Sequence, residues 1–141
     1  MNGHESYVSV EIAKLLKELK FDWEGKLCLD DKFYPGSEIK RWNNMDNVKS
    51  PENLTVVPTL NIAQKWLRDV QGVDITVSFC KHEFEAGVGI EKAYFNECEK
   101  ITKDGVIDYT DNEAYFHTYE EALENGIEVA VNALVEEIDK Q

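Results

Sequence analysis

An α+β domain is predicted for this 141-residue chain: a mostly antiparallel sheet of about four to five strands covered by three helices. Three features carry that reading. Apolar residues recur at the helical period in three separate stretches, a period-two run sits directly behind the second stretch, and an Asp-Gly pair separates two further extended runs. Strands joined by tight turns, with helices between and after them, favour an antiparallel sheet under helices over a doubly wound α/β fold. The expected order is α-β-β-α-β-β-β-α, and the length fits a single domain over residues 1–141.

The first helix is expected over about 9–20. Val8, Ile12, Leu15, Leu16 and Leu19 form its stripe, and Ser6 or Ser9 supplies the cap oxygen. A short hairpin follows, with Leu27 and Leu29 in its first strand, a turn at Asp30-Asp31, and Phe33-Tyr34 resuming an extended segment. Residues 35–57 read as a long polar loop, in which Ile39, Trp42 and Met45 can form one docked turn. Thr59 caps the second helix, Leu60, Ala63, Trp66, Leu67 and Val70 form its stripe, and Gly72 ends it. Behind it Val73, Ile75, Val77 and Phe79 alternate with Asp74, Thr76, Ser78 and Cys80, the pattern of a half-buried strand. Strands at 93–102 and 106–110 flank the turn at Asp104-Gly105, where glycine tolerates positive φ. Thr118 and Glu121 then form a capping box for a last helix whose apolar face is Leu123, Ile127, Ala130, Val131, Leu134 and Ile138.

The net charge of −13 is unevenly placed: residues 1–82 are close to neutral, and the remaining two-fifths of the chain carry almost all of the excess. Such a field repels phosphate backbones and anionic headgroups, and there is no basic stripe, so direct binding to nucleic acid or membrane is not expected. The start MNGHESYVSV lacks a basic and then apolar leader, and no apolar run approaches the ~20 residues that span a bilayer. Three cysteines, Cys28, Cys80 and Cys98, are an odd number in a chain long enough to hold a core without staples. A reduced, cytoplasmic setting is the expectation.

Candidate chemistry is thin. Cys80 and His82 lie two apart on one strand face, which suggests a thiol nucleophile with its base. Neighbouring side chains on a strand face diverge, however, and no third orienting group is identifiable. Zinc-type spacings are absent, Gly87-Val88-Gly89 lacks the third glycine of a dinucleotide fingerprint, and the 104–113 segment has apolar residues where a calcium loop needs oxygens. No metal or cofactor is therefore expected. Trp23 and Trp66 read as core or core-rim residues. Trp42 stands in a polar loop beside Lys40 and Arg41, the setting of a partner anchor.

Three segments, YVSVEIAKLLK at 7–17, PTLNIAQKWLR at 58–68 and TYEEAL at 118–123, resemble a group of small proteins from Bacteroides-type bacteria, their phages and integrated elements. In that group a YVSxExAxLLKE helix, a PTLxxAQKWLR helix followed by a strand, and a TYEEALExGI helix occur in this order. The resemblance implies a bacterial or phage cytoplasmic setting and brings no catalytic residue with it. The function expected is that of a non-enzymatic protein-binding or accessory module of a phage or mobile element. It would contact a basic partner through Trp42, Arg41 and the helix carboxylates Glu120, Glu124 and Glu128. The alternatives are an acidic nucleic-acid mimic that blocks a DNA-binding protein, and a small hydrolase using Cys80 and His82.

Overall fold

The computed structural model describes residues 6–23, 27–30, 39–41, 54–110 and 113–140. Along the described chain the elements are α1 (Val10–Glu18), β1 (Leu27–Asp30), β2 (Ile39–Arg41), β3 (Leu54–Val56), α2 (Leu60–Gln71), β4 (Val73–His82), β5 (Glu91–Thr102), β6 (Gly105–Asp108) and α3 (Tyr119–Asp139). The class is α+β, and all strand pairing is antiparallel. The described strands form two three-stranded sheets, ordered β2-β1-β3 and β4-β5-β6.

The first sheet corrects the expected loop at 35–57, since β2 and β3 both lie inside it. β3 is Leu54-Thr55-Val56, with β-branched residues at two of its three positions, and β2 is equally short; three residues are too few to show a period. β1 pairs with β2 in the register Leu27↔Arg41, which places one more strand before α2 than expected. Phe33, Tyr34, Trp42 and Met45 lie outside the described residues.

Each helix starts at a hydroxyl. Ser9 Oγ accepts from the Ile12 N–H at 3.2 Å, Thr59 Oγ1 from Ile62 at 3.2 Å, and Thr118 Oγ1 from Glu121 at 3.1 Å, satisfying amides that have no partner within the helix. In α3 the Glu121 carboxylate accepts from the Thr118 hydroxyl at 3.0 Å, a variant of the expected box. α2 ends at Gly72, whose φ of 73° favours glycine and whose Cβ, if present, would stand 3.3 Å from the Ile101 carbonyl, a tight approach.

α3 packs across β4 and β5, α2 lies beside it on β4, and α1 rests on α3 and β3. Between them are buried Ile12, Leu16, Val56, Val57, Trp66, Leu67, Val73, Ile75, Cys98, Leu123, Ile127 and Val131, a single core. The Trp66 indole meets Phe21 edge to face at 5.2 Å, and Trp23 packs on the rim. Phe79, expected on the buried side of its strand, is 64% exposed, and two expected helix-core positions are also corrected: Val70 and Ile138 are about half exposed, at 52% and 50%. Each sits in the last turn of its helix, beyond the part that packs on the core.

The hydrogen bond from the Ile101 N–H to the Gly72 carbonyl, 2.8 Å, sets the parity of the second sheet. Because the bonds of an antiparallel ladder alternate, even-numbered residues of β4 point their amides at β5 and odd-numbered ones point theirs away. Side chains alternate with the same period. Val73, Ile75, Val77, Phe79 and Lys81 share the helix-covered face, while Asp74, Thr76, Ser78, Cys80 and His82 share the other face, which no described helix covers.

Candidate functional site

The uncovered face of the second sheet concentrates charge of one sign. Its strand positions carry Asp74 on β4, Glu91, Glu97 and Glu99 on β5, and Asp108 on β6, with no lysine or arginine among them. The register places Asp74 opposite Glu99 and Glu99 opposite Asp108, three carboxylates in a row across three strands. Directly opposed residues have Cβ atoms about 4.5–5.5 Å apart, and like charges so placed destabilise a sheet. The Thr110 backbone N–H, donating to Asp108 Oδ1 at 2.8 Å, holds that carboxyl below its usual range. Beneath the row the Cys98 thiol is buried. Its pKa is pushed up to about 12, chiefly by burial and then by Asp108, Asp74 and Glu99.

At one end of this face aromatic rings close over Ala93, which is fully buried although it lies on the open side. The His82 ring stacks on Tyr115 at 4.0 Å, Phe84 stacks on His117 at 4.0 Å, and His82 meets Phe84 edge to face at 5.0 Å. The segment that brings Tyr115 and His117 here is held by a bridge in which Phe116 and Tyr94 exchange backbone hydrogen bonds of 2.8 and 2.9 Å. Between β5 and this segment lies a notch of about 260 Å³, lined by Phe95, Glu97, Thr110, Glu113, Ala114 and Tyr115. Two carboxylates and two rings around one small cavity make a setting for a lysine or arginine side chain, which gains ion pairing and contact with an aromatic face together.

The residues expected to bind a partner fare differently. Arg41 ends β2, and Trp42 lies outside the described residues. Glu120 and Glu128 are exposed on α3, as the helical spacing suggested. Glu124 is half-buried and turned toward the start of α1. Burial and the neighbouring Glu128 raise its pKa, against the Ser9 backbone N–H that bonds the carboxylate. The four-residue spacing places all three glutamates on one stripe, with the α1 N-terminus beside its middle member, Glu124.

Cys80 and His82 do share a strand face, but the imidazole is stacked on Tyr115, and no hydrogen bond joins it to the thiol among the described residues. No group of three or more His, Cys, Asp or Glu among the described residues is placed to hold a metal ion. Among them also, no helix is long and apolar enough to cross a membrane. The carboxylate row was missed in the sequence although its signal was present. Glu97 and Glu99 flank Cys98 at period two, and the row emerges only once the register aligns them with Asp74 and Asp108. No protein-family model, curated protein or solved structure matches this chain.

Proposed function

We propose that this protein is a non-enzymatic binding module that docks a basic protein partner on the open face of its second sheet. The observation that supports this most is the notch, in which Glu97 and Glu113 stand beside Phe95 and Tyr115 at the margin of a face free of lysine and arginine. Solubility alone asks for carboxylates but not for three of them in one transverse row, an arrangement that costs stability. A cationic partner relieves that repulsion on binding, so its affinity is coupled to a strain built into the sheet. In the setting suggested by the resemblance, that of a cytoplasmic phage or mobile-element product, the partner is a host or element protein with an exposed lysine or arginine cluster.

The row also suits the alternative in which carboxylates replace phosphates to occupy a DNA-binding protein. The acidic residues are divided, however, with Glu120 and Glu128 on the helix-covered side, and the ring-walled notch favours a contact made to one side chain. The test is capture from a nuclease-treated lysate of Bacteroides-type cells. A basic protein retained at low salt and released at moderate salt is the expected result, lost with Glu97→Gln/Glu113→Gln and kept with Glu120→Gln/Glu128→Gln. Absence of any basic partner, or retention unaffected by the notch substitutions, overturns the reading.

A further inference from the structure

The second sheet has one long edge that no described residue pairs with. The outer side of β5 is occupied: β6 pairs with its last residues, Tyr109 and Thr110 bond Cys98, and Phe116 bonds Tyr94. β4 by contrast is a regular ten-residue strand at the margin, with no proline and an unbroken register against β5. Its odd-numbered residues aim their N–H and C=O groups outward. At the covered half the Gln64 side-chain amide donates to the Ile75 carbonyl at 2.9 Å, so α2 satisfies one outward carbonyl there. Beyond it, the outward amides and carbonyls of Val77, Phe79 and Lys81 have no partner among the described residues. The Phe79 side chain is 64% exposed, so no described residue buries it on the helix-side face here. Long unprotected edges are templates for pairing, and proteins commonly blunt them with bulges, prolines, short strands or lysines; of these only a lysine, Lys81 at the far end of the segment and opposite Lys92, is present here.

We infer that the edge at residues 77–81 accepts an extended, cationic segment of the partner protein as an added strand. This deepens the binding reading above and rests on it. An added strand places alternate side chains on the two sheet faces. On the helix side they meet Phe79 and the adjoining Tyr94, 5.3 Å away between ring centroids, a surface for an apolar residue. On the open side they lie over Thr76 and Ser78, whose small side chains leave a low path to Glu97, within reach of an arginine or lysine. The occupant is thus a segment alternating basic and apolar residues. A second copy of this chain fits poorly, because pairing two β4 edges sets two base-free acidic faces side by side on molecules that each carry a net charge of −13.

Amide exchange tests the inference, with a short capped peptide alternating arginine and valine as the probe. In the free protein the Val77, Phe79 and Lys81 N–H groups are expected to exchange fast. Added peptide is expected to slow them by about tenfold or more, with no change at the even-numbered amides, which already bond β5. N-methylation of the peptide on the residues that face β4 abolishes this protection, and N-methylation on the alternate residues leaves it. Peptide binding that perturbs Glu97 and Asp74 without protecting the three amides overturns strand addition while leaving the acidic-face reading intact. Absence of any salt-sensitive binding overturns both. A dimer by sedimentation with protected odd-numbered amides in the absence of peptide assigns the edge to self-pairing and overturns the cationic occupant.

Discussion

Asp74 and Glu99 stand directly opposite each other across the β4–β5 ladder, and Glu99 stands opposite Asp108 across β5–β6. Removing the central charge relieves both repulsions at once. Glu99→Gln is expected to stabilise the domain by about 0.2–1 kcal/mol at low salt. Because exposed charges are screened, the gain in denaturant midpoint shrinks as salt is added. A midpoint that falls, or a gain that ignores salt, shows that the row is not strained.

The Cys98 thiol ties the core to that row. Its pKa is lifted from the ordinary 9.0 to about 12, so the thiol stays protonated in the folded protein at a pH where it ionises in the unfolded chain. The unfolded state then binds fewer protons, and stability is lost as pH rises from about 9 toward 12. Of Cys80 and Cys98, a thiol reagent at mildly alkaline pH is expected to modify Cys80, the half-buried one, first, and to reach Cys98 only at the rate of unfolding. Peptide mapping by mass spectrometry distinguishes this from equal labelling of the two.

Glu124 offers a titration of the opposite practical sense to a salt-bridged carboxylate. Its folded pKa is raised, so between the unfolded and folded values the native state holds the extra proton, and stability falls as pH rises through that window. Glu124→Gln keeps an oxygen for the Ser9 N–H and removes the charge. Its melting temperature is expected to exceed that of the parent at pH 7 and to match it near pH 4. The gain stays below about 1 kcal/mol, because the group is largely solvated. A loss at pH 7 would mean that the ionised carboxylate supports the α1 N-terminus more than burial opposes it.

How much of this was legible in the sequence depended on the length scale of the signal. Helix starts and stops are local, and Ser9, Thr59, Gly72 and Thr118 all act where their chemistry placed them. The β5–β6 hairpin was equally local, through Asp104-Gly105. β2 and β3 were lost because three-residue strands show no period and β1 recruits them from a distance. The open face was lost for a related reason. Glu99 belongs with Asp74 and Asp108 only through register, and Tyr115 reaches His82 only because Phe116 bridges to Tyr94.

Gly126 was missed on the same ground: a glycine inside a helix reads as a weakness until its neighbour is known. A Cβ there would stand 2.6 Å from Ile75 Cγ2, a methyl on a β-branched side chain with little freedom to turn. Overpacking of this kind costs about 1–3 kcal/mol, and alanine's better helix propensity returns up to about 1 kcal/mol. Gly126→Ala is therefore expected to lower the denaturant midpoint. A rise would show that α3 and β4 separate without cost.

Docking of a basic partner on the open sheet face is tested by titrating the isotope-labelled protein with hexa-arginine and following amide chemical shifts. The expected result is a salt-sensitive set of changes confined to Asp74, Glu97, Glu99, Asp108 and Glu113, with Glu120 and Glu128 unmoved. Changes spread evenly over every carboxylate, or centred on α3, would contradict it.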